Sequence, residues 1–196
     1  MNLLLGVTGG IAAYKAADLV SQAKKAGFDV RVVMTPAATR FVSPLTYEAL
    51  SGHPVLVELL QPSVDTAADA PISHIAAAKW ATVACIAPCS ASTLGKLACG
   101  IADNALTTLW LALPAKVPSL ICPAMNTVMW EHPMVQRNIT WLVDSGRFTI
   151  LPPCEKRLAC GDEGPGALAE TDDILTAIKK FQPQAFGVAP QHGYNG

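Results

Sequence analysis

Three side chains of different chemistry stand in or beside loops and turns. His74 follows a polar, Pro-flanked loop, Gln61 to Pro71, and opens an Ala-rich helical turn, Ile75 to Trp80. Asn126 lies in Pro123-Ala-Met-Asn-Thr-Val-Met-Trp130, between the apolar run Val117 to Cys122 and a helical pattern that begins near His132. Cys160 lies in a loop rich in Gly, Pro and charge, Pro152 to Gly166. An imidazole titrates near neutrality and can move a proton. A carboxamide offers donors and an acceptor without carrying charge. A thiol is a far stronger acid than an aliphatic hydroxyl. Each has a plainer reading when taken alone. A lone His is commonly structural, an Asn in such a turn is a common cap, and a lone Cys is an incidental thiol. Met125, Met129 and Trp130 set the Asn126 segment apart, because small polar residues are the rule in turns.

Two further stretches suit an anion. Asn2 to Val7 reads as a strand ending in Thr8-Gly9-Gly10, followed by a helix from Ile11 to Ala26 that Gly27 closes. Thr82 to Ala87 reads as another strand, ending in Pro88-Cys89-Ser90-Ala91-Ser92-Thr93 before a helix, Leu94 to Cys99. Backbone N–H groups at a helix start suit a phosphate. Without a ligand these stretches are a tight strand-to-helix turn and an N-cap with spare serines. Thr8 takes the middle place of a Gly-x-Gly-x-x-Gly pattern, and no glycine precedes Lys15 as a P-loop requires. The strand Asp29 to Met34 runs into Thr35-Pro36-Ala37-Ala38, with no acid before Glu48 to hold a ribose. The pattern therefore disfavours a dinucleotide and leaves room for a mononucleotide.

The elements that position these residues alternate strand and helix. Arg40-Phe41 and Pro44 to Ser51 read as short helical pieces, Val55 to Leu59 as a doubtful strand, and Asp103 or Asn104 to Leu113 as a helix with one apolar face. Pro133 to Asp144 is an amphipathic helix, Phe148 to Leu151 the last strand, and Thr171 to Phe181 a final helix capped by Thr171. This order predicts an α/β fold: one Rossmann-like, doubly wound parallel sheet flanked by helices. Residues 1–181 form that domain, and 182–196 read as a mobile tail.

Composition excludes several classes. The 196 residues are 51% apolar, which suits a globular domain with a sizeable core. A formal charge of −1 gives no footprint for nucleic acid. No apolar run is long enough to span a bilayer. Met1-Asn-Leu-Leu-Leu lacks a positive leader and enters the fold directly, so no signal peptide is expected. Six cysteines without Cys-x-x-Cys spacing argue against a zinc ribbon, and no metal is expected. Buried free thiols in a reducing cytosol are the expectation.

The segment Pro123 to Trp130 resembles the signature of the flavin-containing cysteine decarboxylases, and the likeness runs from about Leu3 to Phe181. Thr8-Gly9-Gly10, Pro88 to Thr93, Gly100-Ile-Ala-Asp-Asn104 and Leu158 to Gly166 match further family segments, with Ser92 where the family commonly has Asn. The resemblance implies an FMN-dependent enzyme of coenzyme A biosynthesis acting on 4′-phosphopantothenoylcysteine. FMN would lie near Gly9, Gly10, Thr35, Phe41, Ser90, Ala91, Ser92 and Thr93. Met125 and Asn126 would bind substrate, His74 would serve in thiol oxidation, and Cys160, on a flap, would be the acid for a final reduction. It also implies a homo-oligomer, a trimer, with the flavin at subunit contacts, and a separate synthetase to supply the substrate.

The chemistry is consistent with those parts. Decarboxylation leaves electrons on carbon, and an N-acylated cysteine has no free amine for a pyridoxal Schiff base. A flavin can instead oxidise the carbon bearing sulfur to a thioaldehyde, β to the carboxylate, so CO₂ leaves and an ene-thiol remains. Reduction then gives the saturated thiol. Two other readings stay open: a peptidyl-cysteine oxidative decarboxylase, which needs no reducing acid, and a flavin-binding phosphatase regulator with no activity of its own. The Cys160 flap opposes the first; the presence of His74, Asn126 and Cys160 together opposes the second.

Overall fold

The computed structural model describes residues 1–59, 74–157 and 163–181. The expected loop over Gln61 to Pro71, the Cys160 position and the 182–196 tail lie outside them. Five parallel strands form the central sheet: β1 (Asn2–Val7), β2 (Asp29–Met34), β3 (Val83–Cys89), β4 (Ser119–Pro123) and β5 (Phe148–Ile150). Their order is β2-β1-β3-β4-β5. Among the described residues eight α-helices accompany them: α1 (Ala13–Lys25), α2 (Pro44–Ser51), α3 (His74–Trp80), α4 (Ala91–Ala98), α5 (Ala105–Leu111), α6 (Thr127–Glu131), α7 (Pro133–Asp144) and α8 (Thr171–Lys179).

Side-chain alternation explains why helices cover both faces. In β1, Leu3, Leu5 and Val7 join a core with Ala16 and Leu19 of α1 and Ile174 and Ile178 of α8. Leu4 points the other way, into a core with Leu94 of α4 and Leu106 and Trp110 of α5. Successive strand residues face opposite sides, so both faces must be apolar, and the strands read as continuous apolar runs. Gly6 shares the second face because Trp110 lies there: a Cβ on Gly6 would stand 2.9 Å from the indole ring. The indole N–H donates to Ser119 Oγ of β4 at 2.8 Å, which satisfies the polar end of a buried Trp.

Caps set several helix starts. Ser90 Oγ accepts the Thr93 N–H. Asn104 is the cap of α5, in a reciprocal capping box with Thr107. His132 Nδ1 accepts the Met134 N–H, with Pro133 in the first turn of α7.

Four expectations need correction. Val55 to Leu59 is not a strand; Leu56 makes only an isolated bridge to Val33. Phe148 to Ile150 is the sheet's edge strand but not the last strand of the chain. The segment read as loop forms an antiparallel hairpin of β6 (Cys154–Arg157) and β7 (Glu163–Ala167). The cap of α8 is Glu170, while the Thr171 hydroxyl donates to Asp18 of α1 at 3.0 Å. No helix among the described residues is long and apolar enough to cross a membrane.

Candidate functional site

In this strand order β1 lies between β2 and β3, and the connections from β1 and β3 leave in opposite directions. Ligands of open α/β sheets bind at the carboxyl ends of the strands at this reversal. A cavity of about 630 Å³ lies there. Its floor is the β1 turn, Thr8 to Ala12, with Pro88, Ser90 and Ala91 from the β3 turn. Ala124, Met125, Asn126 and Met129 form one wall, and Gly166 to Leu168 with Lys156 of the hairpin another. Tyr14 and Lys15 of α1 complete it.

Thr8 ties the two turns together. Its Oγ1 donates to the Pro88 carbonyl at 2.8 Å and accepts the Ser90 N–H at 2.8 Å. The Thr8 N–H also donates to the Pro88 carbonyl, at 3.2 Å. A glycine at position 8 could not make the side-chain bridge, which is a physical reason for the departure from the dinucleotide pattern. Gly9 must be small, since a Cβ would stand 2.6 Å from that of Ala37, whereas Gly10 faces open space. The start of α1 has Ala12 as its cap, with no side-chain cap bond and no acid in the first turn. Tyr47 holds this end in place by donating its hydroxyl to the Ala13 carbonyl at 2.7 Å, and burial pushes the phenol up to about 12.

A helix start without a side-chain cap, preceded by an open glycine, suits a phosphate ester. The donor set at the floor therefore fits the phosphate end of a mononucleotide.

Asn126 ends the β4 connection as the cap of α6. Its Oδ1 accepts the N–H groups of Val128 at 2.8 Å and Met129 at 3.3 Å. The common cap role is therefore present, and it orients the amide within the cavity wall. The hairpin rests on the same segment: the Met125 N–H donates to the Gly166 carbonyl at 2.9 Å. Gly164 and Gly166 have φ of 153° and 151°, in a region that favours glycine.

Of the residues expected at the site, Gly9, Gly10, Ser90, Ala91, Met125 and Asn126 line the cavity. Thr93 is buried beneath it, its hydroxyl accepting from Ser90 Oγ at 3.3 Å. Ser92 is exposed on α4, outside the lining. Thr35 is buried at the end of β2 and caps the following turn, its Oγ1 accepting the Ala38 N–H. Phe41 is 52% exposed and outside the lining. His74 is half-buried at the start of α3, which packs on α5 and β1; it does not line this chain's cavity. Sequence reasoning missed Thr8, Lys15, Lys156 and Gly166. Thr8 left a signal as the hydroxyl where a glycine is usual, and Gly166 as the end of a segment that resembles the family's flap.

Charge at the cavity rim centres on Glu170. Lys156 Nζ donates to its carboxylate. That bond, and next the Lys15 charge, hold the Glu170 carboxyl below its ordinary value. The same bond raises Lys156. Beneath the floor, burial pushes the Cys89 and Cys122 thiols far up, so neither is a ready nucleophile.

A model of the flavoprotein family matches residues 1–182. The chain is 48% identical over 182 residues to the coenzyme A biosynthesis bifunctional protein CoaBC of Bacillus subtilis, covering 91% of this chain and 42% of that protein. It thus spans less than half the length of that relative. It is 47% identical over 182 residues to a Streptococcus mutans protein named "Probable phosphopantothenoylcysteine decarboxylase", covering 91% of this chain and 97% of that one. Among solved structures, a cysteine-to-serine mutant of PPC decarboxylase complexed with pantothenoylaminoethenethiol superposes with a TM-score of 0.77 at 34% identity, covering 92% of this chain and 97% of the other. The FMN-dependent cysteine decarboxylase SpaF superposes with a TM-score of 0.73 at 32% identity, covering 93% and 98%.

Proposed function

The chain belongs to the flavoprotein family, and from that premise we propose that it is a phosphopantothenoylcysteine decarboxylase, using FMN to convert 4′-phosphopantothenoylcysteine to 4′-phosphopantetheine in coenzyme A biosynthesis. The observation that carries this reading is the hydrogen bond from the Met125 N–H to the Gly166 carbonyl. It fastens the hairpin to the turn that presents Asn126, and Cys160 lies in sequence between the two hairpin strands. A cysteine decarboxylase that also reduces its ene-thiol needs these two parts together.

When bound, FMN would supply the electron sink for the sulfur-bearing carbon. The first α1 turn and Ser90 would hold its phosphate, and Thr8 keeps those two turns in register. The Asn126 amide is the donor to the substrate carboxylate. A neutral donor orients the carboxylate without a charge that would hold CO₂ in place. His74 accepts the thiol proton during oxidation. Because His74 does not line the cavity of its own chain, a neighbouring copy would supply it, in a homotrimer. Cys160 delivers the proton to carbon in the reduction. The working unit is residues 1–181, and the setting is the cytoplasm.

The test is anaerobic incubation with 4′-phosphopantothenoylcysteine, followed by CO₂ measurement and mass spectrometry of products and released cofactor. Expected are CO₂, 4′-phosphopantetheine and FMN. No CO₂ overturns the reading. An ene-thiol as final product makes the peptidyl-cysteine type of chemistry the better one.

A further inference from the structure

Resting on that reading, we propose that Lys15 and Lys156 form a subsite for a phosphate monoester, and that its occupant is the 4′-phosphate of the substrate rather than the phosphate of the cofactor.

Both lysines line the cavity, from opposite elements. Lys15 is half-buried in the first turn of α1, and Lys156 is exposed on β6 of the hairpin. Lys156 donates a hydrogen bond to Glu170, and the positive charge of Lys15 acts on the same carboxylate. Two ammonium groups thus face one cavity from opposite elements. Glu170 and Lys156 are 47% and 50% exposed at the side chain. A pair this exposed is weak, so a dianion can displace the carboxylate or share its cations.

The reaction brings two phosphate monoesters to one cavity, and the chain offers two sites of different chemistry. Main-chain N–H groups at the start of α1, with Ser90, form a fixed cradle suited to a resident cofactor. The lysines are point charges on flexible stems, suited to a ligand that arrives and leaves at each turnover. The substrate's phosphate lies at the far end of a long arm from the reacting thiol. Binding energy from such a remote group can hold the reacting end in place. A peptide ending in cysteine has no such phosphate, so the same two residues would set specificity within this chemistry.

The experiment measures kcat/KM for 4′-phosphopantothenoylcysteine and for its dephosphorylated analogue, pantothenoylcysteine. The proteins are the wild-type chain, Lys15→Gln, Lys156→Gln, the double variant and the two Lys→Arg variants, each assayed for bound FMN. The expected result is a preference for the phosphorylated substrate that falls by about tenfold or more in the double variant, as for loss of charge-assisted hydrogen bonds. Arg should restore it, and FMN content should stay at the wild-type level. Equal losses on both substrates, an unchanged ratio or loss of FMN overturns the substrate subsite; loss of FMN assigns the lysines to the cofactor. Turnover of neither substrate by the wild type overturns the decarboxylase reading as well. The Arg variants keep the charge and stem, so the test survives if a Gln variant fails to fold.

Discussion

Met125 and Gly166 lock the hairpin to the cavity wall through main-chain atoms. The Met125 N–H donates to the Gly166 carbonyl at 2.9 Å, and a Cβ on Gly166 would overlap the Met125 carbonyl oxygen. Two segments separated by forty residues of sequence thus share one fixed geometry. A side chain on Gly166 cannot be absorbed by a rotamer change, because the obstructing atom is backbone.

Gly166→Ala should therefore lower stability by roughly 1–3 kcal/mol, as overpacking against an immovable neighbour does. It should also disturb the Asn126 turn. Gly10→Ala is the control, since a Cβ there meets nothing within 4 Å. Thermal unfolding should separate them, with Gly166→Ala melting well below wild type and Gly10→Ala close to it. Gly10→Ala should weaken FMN retention instead, because its methyl group would project into the cavity. Equal melting temperatures for the two variants would remove the lock from the account.

One substitution can separate the cap made by Asn126 from its proposed part in binding the substrate carboxylate. Its Oδ1 caps α6 through Val128 and Met129. Aspartate is as good a cap as asparagine. Asn126→Asp should keep the fold and the FMN, yet abolish decarboxylation, because a carboxylate would repel the substrate's own. Asn126→Ala should also lose activity but cost about 1 kcal/mol of stability through the missing cap. Flavin bleaching by substrate and denaturant melts read the two effects. Wild-type turnover by Asn126→Asp would take Asn126 out of carboxylate binding.

Asp29 gives a pH prediction. Partial burial pushes its carboxyl up, but the hydrogen bond from His53 at 2.7 Å and then the His53 charge outweigh that and leave it lowered. A lowered folded value means the stabilisation is present above the unfolded value, about 4, and is lost as pH falls through the folded one. The side chain is 43% exposed, so the pair contributes at most about 1 kcal/mol. Asp29→Asn should cost that much at pH 6, and wild type and variant should converge as pH falls below about 4. A gap in unfolding free energy that stays constant down to pH 2 would contradict this assignment.

Much of the fold is readable in the chain because the sheet is buried on both faces. Runs such as Leu3 to Val7 and Val83 to Ala87 are apolar throughout, and each ends where a turn or cap begins. The hairpin was hidden for the opposite reason. Cys154 to Arg157 and Glu163 to Ala167 pair only with each other, carry no apolar alternation, and include Pro165, which usually argues against a strand. Part of the cavity lining was equally plain: Gly9, Gly10 and Ser90 stand at strand ends. Lys15 and Lys156 were not plain, since a lysine on a helix or in a charged loop looks like any solvated lysine until the fold brings both to one rim. Thr35 shows the converse. It ends a strand as a ligand residue should, but its hydroxyl is turned to its own backbone.

His74 supports the last prediction. It opens α3 and is absent from the lining of the cavity that holds Asn126. If catalysis needs both, the two side chains come from different copies of the chain. His74→Asn and Asn126→Asp should each be inactive alone. When the two proteins are denatured together, refolded with FMN and allowed to assemble at random, a site needs an intact Asn126 from one copy and an intact His74 from its neighbour. In a symmetric ring that condition is met at about one site in four, so about a quarter of wild-type activity should return. A site built within one chain predicts no recovery, because every chain in the mixture carries one lesion. Activity that stays at the background of the separate variants, with FMN bound and oligomers intact, would therefore place His74 and Asn126 in the same chain's site or remove His74 from the chemistry.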